Sequence, residues 1–317
     1  MIISELENED LIRRFRGEGL YYRVGPFLIR GRSQLDNASR GLASLYADFP
    51  VAGPDEITDV DYVLDKCTFE FNRFNLILDG RLQYPRIFRR LAVPFVEWAL
   101  NLSVILGLHR FFVLHAGVVE RGGHAAIFPG NAGRGKSTLT AALVSRGWRL
   151  LSDEAALIDP VDGLLHPAPR PISLKNESVE LIRSFAPNAR MGPSWPGTMK
   201  GIVSHMIPTP ESVARALERA EPAWMIFPMY TPGARPEMRP LSKARALVTA
   251  GQQAFNYNLF GRRGFEILGN LIDACDCYEF VYSDLDGAVA AMNSLTLTTS
   301  AAREVSPVNA IEPEHFR

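Results

Sequence analysis

Cysteine is scarce in this sequence, which has three cysteines, Cys67, Cys275 and Cys277, among its 317 residues. Thiols that are so few and so unevenly spaced exclude a disulfide framework and a zinc site with four cysteine ligands. The fold must therefore rest on an apolar core, for which 47% hydrophobic residues are ample. Reduced thiols are typical of the cytoplasm, and we expect a cytoplasmic protein.

An excess of one charge is also missing. The chain has 34 lysines and arginines against 35 aspartates and glutamates, which gives a formal net charge of −1 at pH 7. No basic run with interleaved aromatic residues occurs in the sequence. Because phosphate backbones are bound through such basic patches, the sequence predicts no nucleic-acid partner.

An uninterrupted hydrophobic run of membrane-spanning length is absent as well. The most apolar stretch, residues 91–108, contains Pro94, Glu97 and Asn101, which favours a buried helix over a membrane span. Residues 1–10 are acidic and lack the basic start and apolar centre of a signal peptide. We therefore expect neither a membrane span nor export.

What the sequence does contain is one chemically specific loop. Gly130 to Ser137 reads G-x-x-x-x-G-K-S, which is the Walker A spacing. A loop that wraps a triphosphate points backbone N–H groups inward, and glycine permits the positive φ that this needs. We expect Lys136 to reach the β- and γ-phosphates and Ser137 to bind Mg²⁺. The predicted nucleotide contacts are Gly130, Asn131, Ala132, Gly133, Arg134, Gly135, Lys136, Ser137 and Thr138.

The segments around this loop predict an α/β fold with a mixed sheet. Residues 125–128 are an apolar strand that ends at the loop, and residues 138–144 are a good helix. We expect residues 110–120 to form a strand, which the tight turn at 121–123 returns antiparallel into the strand before the loop. Upstream, residues 84–108 predict one long helix.

An acidic pair follows the predicted helix and one further strand. Asp153 and Glu154 stand at the end of the strand predicted from residues 148–151. An acidic element at this place would face the bound phosphates. Acidic pairs also occur by chance, so the pair taken alone is equally compatible with a structural role.

Three cations further along the chain are candidates for gripping a transferred phosphate or an anionic acceptor. They are Arg170, Lys175 and Lys200. Lys200 lies in the Pro- and Gly-rich stretch 187–201, a composition found in mobile site covers and in solvated loops alike. Ordinary surface solvation would explain each of the three cations equally well.

Together, residues 115–119, the loop at 130–137 and residues 147–154 resemble the catalytic domain of HPr kinase/phosphorylase. That domain is itself similar to phosphoenolpyruvate carboxykinase. The chain as a whole resembles more specifically the HPr kinase-related kinase A group, which is associated with exosortase and surface-polysaccharide gene clusters, through residues 170–178 and 255–257. The resemblance implies a P-loop kinase fold with an antiparallel hairpin leading into the Walker A loop.

The resemblance also implies an ATP-dependent kinase that uses Mg²⁺. It implies catalytic roles for His115, Lys136 and Asp153, with Asp153 as the base that orients the acceptor hydroxyl. Glu154, which stands where the family has a second aspartate, would lie on the metal side with Ser137. A lone histidine in an apolar strand is normally structural, and it is the resemblance that favours a catalytic His115. The acceptor would be a hydroxyl of a small metabolite, or of a serine in a peptide or protein.

Two other functions remain open from the sequence. One is a nucleotide-binding regulatory or assembly module for an exosortase or surface-polysaccharide system, with little or no transfer activity. The other is a carboxykinase-like enzyme, which needs a second set of metal ligands and an arginine grip on a dicarboxylate that we cannot assemble from this sequence. Asp153 and His115 together favour the kinase, because nucleotide binding alone requires neither of them.

The expected organisation has three parts. Residues 1–108 form an N-terminal α+β region packed on the core, residues 109–297 form the P-loop kinase-like catalytic region, and residues 298–317 form a frayed tail. The expected partners are the nucleotide and an unidentified hydroxyl-bearing acceptor. A homo-oligomer is compatible with the sequence.

Overall fold

The fold is that of a computed structural model, which describes residues 1–67, 69–107, 110–131 and 133–296. The predicted nucleotide contact Ala132 and the predicted tail at 298–317 lie outside the described residues. So do residues 108 and 109, between which the expected regional boundary falls. Within the described ranges, the search for a helix that is long and apolar enough to cross a membrane found none.

The N-terminal part of the chain forms a five-stranded sheet with helices packed against it. Its elements are α1 (Asn8–Arg16), β1 (Leu20–Val24), β2 (Phe27–Ser33), α2 (Asp36–Leu45), β3 (Val60–Lys66), β4 (Arg73–Leu78), β5 (Arg81–Phe88) and α3 (Ala92–Gly107), with 3₁₀ turns at Ile3–Glu5 and Arg89–Leu91. The strands lie side by side in chain order; β2 and β3 run parallel and the other neighbours antiparallel. In β4 the buried Phe74, Leu76 and Leu78 alternate with less buried residues, as expected for a sheet with one face on the core.

The long helix predicted over residues 84–108 is wrong at its N-terminal end. Residues 84–88 belong to strand β5, and α3 begins at Ala92. The cause is the turn before β5, where Asp79 and Gly80 have φ values of 49° and 74°. An Asp-Gly pair with two positive φ values closes a tight hairpin. Pro85 is tolerated in β5 because this strand lies at the edge of the sheet.

The second part of the chain is built on a six-stranded mixed sheet, which agrees with the predicted mixed α/β class. Its strands are β7 (Ala116–Arg121), β8 (His124–Pro129), β9 (Arg149–Ser152), β15 (Glu221–Tyr230), β16 (Glu237–Pro240) and β17 (Asp276–Tyr282), in the order β16-β17-β15-β8-β7-β9. β7 pairs antiparallel with β8 and β9, whereas β15 is parallel to β8 and β17. This sheet places the start of the 130–137 loop at the end of its central strand β8.

Helices cover both faces of this sheet. The helices are α4 (Lys136–Ser145), α5 (Glu177–Phe185), α6 (Pro210–Ala214), α7 (Lys243–Gly251), α8 (Tyr257–Phe260), α9 (Arg262–Ala274) and α10 (Leu285–Asn293). Buried residues of α4, α5 and α10 share one core with Phe128 and Ile226 of the sheet. Buried residues of α7 and α9 share another core with Ile127 and Met225. The alternating faces of β8 and β15 thus separate two apolar layers.

Two small sheets complete the fold. One contains β6 (Phe112–Leu114), β10 (Ala156–Ile158) and β11 (Leu165–His166), and the other contains β12 (Ile172–Lys175), β13 (Trp195–Thr198) and β14 (Gly201–Met206). β10 is central in the first sheet and β14 is central in the second, and the paired strands run antiparallel. Strand β13 lies within the stretch 187–201 that the sequence marks as a loop.

The single strand predicted over residues 110–120 is divided at His115. β6 belongs to a small sheet and β7 to the six-stranded sheet. At the break, the backbone N–H of His115 donates to the carbonyl of Gln253 at 2.8 Å. The buried Asn256 holds β6 by accepting from the N–H of Val113 at 2.9 Å and donating to the carbonyl of Phe111 at 2.8 Å. Because of these bonds, His115 does not pair with a neighbouring strand, and its side chain lies at the loop after β8.

Candidate active site

The loop after β8 has the backbone of an anion cradle. Gly130, Gly133 and Gly135 have φ values of 146°, 86° and 90°, a range that residues with a Cβ rarely adopt. At Gly135 an added Cβ would also lie 2.5 Å from the hydroxyl of Tyr282. The N-terminus of α4 follows at once, and its free N–H groups and positive dipole end favour a phosphate.

Lys136 is buried at the start of α4. Its ammonium group donates to the carbonyl of Gly130 and, at 3.2 Å, to the carbonyl of Asn131. Burial lowers the pKa of Lys136, and the carboxylates of Glu154 and Asp153 oppose this shift. The cation is therefore held across the mouth of the loop, within reach of both acids.

His115 connects this ammonium group to the acidic pair. Its Nε2 lies 3.3 Å from Nζ of Lys136, and its Nδ1 lies 3.2 Å from the carbonyl of Glu154 and 3.5 Å from the Oε2 atom of that residue. Burial and the Lys136 charge lower the pKa of His115. Because an ammonium group can only donate, Nε2 accepts and the neutral ring carries its proton on Nδ1. The ring of Phe255 packs on the histidine with its centroid 5.4 Å away.

Asp153 is 5% exposed and directly follows β9. Its Oδ2 atom accepts from the backbone N–H of Ser173 at 3.3 Å, whereas Oδ1 has no hydrogen-bond partner among the described residues. Burial, and next the charge of Glu154, raise the pKa of Asp153 to about 7, although the nearby Ser137 hydroxyl, the Lys175 charge and the N–H of Ser173 oppose the shift. This carboxyl is thus poised between its protonated and ionised forms near neutral pH.

A small cavity adjoins Asp153. It has about 20 Å³ of space and lies between Trp98 of α3, the acidic turn and the paired strands β12 and β14. Ser173 Oγ and both ring nitrogens of the buried His205 also border on it, and neither residue's side chain has a hydrogen-bond partner within the described part of the chain. Since buried polar atoms are normally satisfied, a space of this size suits one water molecule or one hydroxyl group.

Arg170 borders the same cavity, but its guanidinium group is already bound to other side chains of the protein. It pairs with Glu97 at 2.7 Å and donates to Asn101 at 2.6 Å and to the Tyr46 hydroxyl at 3.3 Å. Tyr46 in turn donates to Glu97 at 2.7 Å. The structure therefore places this predicted phosphate contact in a buried ion pair that ties α3 to the wall of the site.

Lys175 and Lys200 lie at the edge of the site. Lys175 stands two residues after Ser173 on β12, and so points to the same face of that strand. The ammonium group of the exposed Lys200 lies 4.9 Å from the ring centroid of Trp98. Partial burial and the Lys175 charge lower the pKa of Lys200, and Glu154 opposes the shift. Neither lysine forms an ion pair with any residue that the structure describes.

The oxygen atoms at this site fit a magnesium ion. Ser137 offers a hydroxyl and Glu154 offers a carboxylate, the hard ligands that Mg²⁺ prefers. Within the described ranges no group of three or more His, Cys, Asp or Glu residues could hold a metal. A nucleotide-bound magnesium needs no such group, because phosphate oxygens and waters supply the remaining ligands.

Several residues of the site were not predicted, because no sequence motif marks them. Gln253 donates to the Asn131 side chain at 3.1 Å and its carbonyl receives the His115 N–H. Ser173, His205 and Trp98 border the cavity. Their positions depend on pairing between segments far apart in the chain, and no local spacing marks them. Of the remaining predicted contacts, Arg134 is exposed and Thr138 is half-buried in the first turn of α4.

Comparison with known proteins gives a distant likeness in structure. No protein-family model matches the chain, and no curated protein matches it. Among solved structures, the chain is similar to the Hpr(Ser) kinase/phosphatase from Coxiella burnetii, with 14% sequence identity and a TM-score of 0.27. The match covers 57% of this chain and 91% of that one. The likeness is distant, and the chemistry of the site follows from its own geometry.

Proposed function

We propose that this protein is an ATP-dependent phosphotransferase of the P-loop kinase type, which transfers the γ-phosphoryl group to a hydroxyl acceptor. The observation that carries the proposal is the chain of contacts from Lys136 through His115 to the acidic turn of Asp153 and Glu154, beside a glycine loop at a helix N-terminus. Nucleotide binding alone requires the loop and the lysine. It does not require a buried carboxyl group with one unpaired oxygen and a pKa near neutrality.

The loop after β8 supplies the part of the site that binds the ATP phosphates. Backbone N–H groups of Gly130 to Ser137 surround the phosphates, and the positive end of α4 adds to their field. The ammonium group of Lys136 exchanges its carbonyl partners for the β- and γ-phosphate oxygens. His115 keeps this group at the mouth of the loop through its Nε2 atom. Charge that develops on the transferred group thus meets fixed positive charge.

Asp153 acts in the part of the site that binds the phosphoryl acceptor. In its ionised form it accepts the proton of the acceptor hydroxyl as the oxygen attacks phosphorus, and the N–H of Ser173 fixes its orientation. Ser137 and Glu154 would hold Mg²⁺, with the second oxygen of Asp153 nearby. When bound, that ion neutralises phosphate charge and orients the phosphates.

Residues 1–108 contribute side chains to the proposed active site. α3 contributes Trp98 to the cavity beside Asp153, and its Glu97 forms the buried pair with Arg170. In this proposal the N-terminal region therefore shapes the acceptor side, and residues 109–297 carry the nucleotide and the catalytic groups. The expected setting is the cytoplasm, where ATP is available.

The experiment that tests the function is a phosphate-transfer screen with ATP labelled at the γ-phosphate. It presents small hydroxyl metabolites, free amino acids and serine-containing peptides, with Mg²⁺ present. We expect label in at least one acceptor and none when Lys136 is replaced by Met. Tight ATP binding with no labelled acceptor and no hydrolysis would instead support a nucleotide-binding regulatory module.

A further inference from the structure

We propose that the acceptor is a small hydroxyl compound with an anionic group of its own, a phosphate or a carboxylate, which Lys175 and Lys200 bind beside Asp153. The inference rests on the phosphotransferase function proposed above and specifies the class of its acceptor. Three features lie together here: two lysines that form no ion pair with the described residues, the indole face of Trp98, and a hydroxyl-sized cavity bordered by Asp153.

The backbone brings the two lysines to one edge of the site. Lys175 ends β12, and the next residue, Asn176, donates from its side chain to the carbonyl of Lys200 at 3.4 Å. The N–H of Asn176 donates to the carbonyl of Ile202 at 2.8 Å, and its Oδ1 accepts from the N–H of that residue at 3.1 Å. Three hydrogen bonds thus hold the turn before β14 against the end of β12.

The same edge is joined to the catalytic carboxylate. Ser173, which donates its N–H to Asp153, lies two residues before Lys175 on the same face of β12. On the other side, the ammonium group of Lys200 lies over Trp98, and Trp98 borders the cavity next to Asp153. An acceptor whose hydroxyl reaches Asp153 would therefore have its remaining atoms between Trp98 and the two ammonium groups.

The positive charges of Lys175 and Lys200 favour the binding of an anion between them. The Lys175 charge disfavours the charged form of Lys200, so the two cations repel each other. Neither lysine has an ion-pair partner in the described part of the chain. Glu154 is the acid whose charge favours the charged form of Lys200, but in the proposed function it belongs to the metal. An anionic substituent between the lysines would remove the repulsion.

The donor phosphates do not need these lysines. Their charge is met by the backbone N–H groups of the loop, by the helix end and by Lys136. The Lys175 charge also acts on Lys136 and lowers its pKa, but Lys175 follows Ser173 on β12 and Lys200 lies over Trp98, and both of those neighbours border the cavity at Asp153. We therefore assign the pair to the acceptor and not to the γ-phosphate.

The cavity limits what enters next to the base. With about 20 Å³ of space it admits a group of about the size of one water molecule. A hydroxyl group fits, and its orphaned neighbours Ser173 Oγ and His205 can hydrogen-bond to it. In the transfer, the acceptor O–H bond breaks and its proton goes to Asp153. The acceptor oxygen bonds to phosphorus as the bond between the γ-phosphorus and the bridging oxygen breaks, and ADP leaves.

The first test measures anion binding without turnover. The protein is saturated with Mg²⁺ and a non-hydrolysable ATP analogue, so that the loop is filled, and inorganic phosphate or acetate is titrated in by calorimetry. We expect one anion site, weakened at least tenfold in Lys175→Gln and in Lys200→Gln. Lys66→Gln is the matched control, because Lys66 is an exposed lysine at the end of β3, and it should leave the site unchanged. Equal binding by all variants would overturn the assignment.

The second test separates this inference from the proposed function. In the labelled-ATP screen, anionic hydroxyl compounds should be phosphorylated, and Lys200→Gln should raise their KM at least tenfold with the affinity for the ATP analogue unchanged. Phosphorylated compounds should show a lower KM than carboxylated ones if phosphate is the natural group, and the reverse order would indicate a carboxylate. Transfer to neutral hydroxyls or peptide serines alone would overturn the inference and leave the kinase intact. A lysine variant that loses affinity for the analogue would show that the pair binds donor phosphate, which would also overturn it.

Discussion

The Nζ atom of Lys136, at the start of α4, and the Nε2 atom of His115, at the break between β6 and β7, lie 3.3 Å apart. This contact fixes the neutral histidine tautomer with its proton on Nδ1, directed at the carbonyl of Glu154 at 3.2 Å. The histidine thereby connects the phosphate-binding lysine to the acidic turn. Neither the helix nor the acidic turn can shift without disturbing the other.

A first prediction concerns this histidine. His115→Leu removes the acceptor for the ammonium group, and we expect transfer to fall by about 10- to 100-fold, the usual value of a hydrogen bond to a charged group. His115→Gln places an amide oxygen near the former Nε2 position and should recover part of the loss. Steady-state kinetics of both variants, with their melting temperatures as the control for folding, distinguish this from a packing role. Equal activity of the two variants would contradict it.

Replacement of Lys136 tests the nucleotide site. Lys136→Met keeps the length of the side chain and removes its charge, so the affinity for the Mg²⁺ complex of ATP should fall by about 10- to 100-fold. Arg134→Ala is the control within the same loop, because the Arg134 side chain is exposed and the proposal assigns only the backbone N–H of this residue to the phosphates. We expect this control to change affinity less than threefold. Titration of a fluorescent ATP analogue reports both values, and an unchanged affinity of Lys136→Met would refute the assignment.

The buried pair of Glu97 and Arg170 should be important for stability. Glu97→Leu leaves the guanidinium group buried without its counter-charge, and we expect a loss of about 3–5 kcal/mol in the free energy of unfolding. Arg170→Met should cost a similar amount, since Glu97 is then unpaired. The double variant should be more stable than either single variant, because an apolar pair replaces an ionic one. Urea unfolding of the four proteins measures the coupling, and strictly additive losses would contradict it.

His205 makes a prediction about pH. Burial lowers the pKa of His205 from 6.5 to about 4 in the folded protein. At a pH above the pKa that His205 has in the unfolded chain, this side chain is neutral in both the folded and the unfolded state. As the pH falls toward 4, His205 becomes protonated in the unfolded state but stays neutral in the folded protein. The free energy of unfolding should therefore decrease between pH 6.5 and 4, by on the order of 3 kcal/mol from this residue. His205→Leu should flatten the pH dependence in urea unfolding, and a variant as pH-sensitive as the wild type would argue against it.

The sequence predicts those parts of the molecule that depend on short-range patterns. The mixed α/β class is confirmed, and the loop from Gly130 lies between strand β8 and helix α4. Glycine spacing and a following helical run are local features, and they leave little freedom to the backbone. The acidic pair likewise directly follows a short strand, β9.

The parts that the sequence does not predict depend on long-range pairing. Nothing near His115 indicates that the strand breaks there, because the break is produced by Gln253 and Asn256, well over a hundred residues away. The hairpin at Asp79 and Gly80 does carry a local signal, and it overrides the helical pattern that follows. His205 comes beside Asp153 only through the pairing of β12 with β14.

In the proposed mechanism Asp153 accepts the proton of the acceptor hydroxyl, and two isosteric variants test this role. Asp153→Asn keeps the shape of the side chain and removes the proton acceptor, whereas Glu154→Gln weakens a proposed metal ligand. We expect Glu154→Gln to raise the Mg²⁺ concentration needed for half-maximal transfer. The two variants should therefore differ in kind, one in the rate and the other in the metal requirement.

The most direct measurement compares transfer and ATP affinity in wild type and Asp153→Asn, at saturating Mg²⁺ and with the best acceptor from the screen. We expect a fall in transfer of roughly 10²–10⁴, the usual contribution of a general base, with ATP affinity within a few-fold of wild type. A parallel loss of ATP affinity would show that Asp153 is a metal ligand. Unchanged transfer would contradict the assignment of Asp153 as the base.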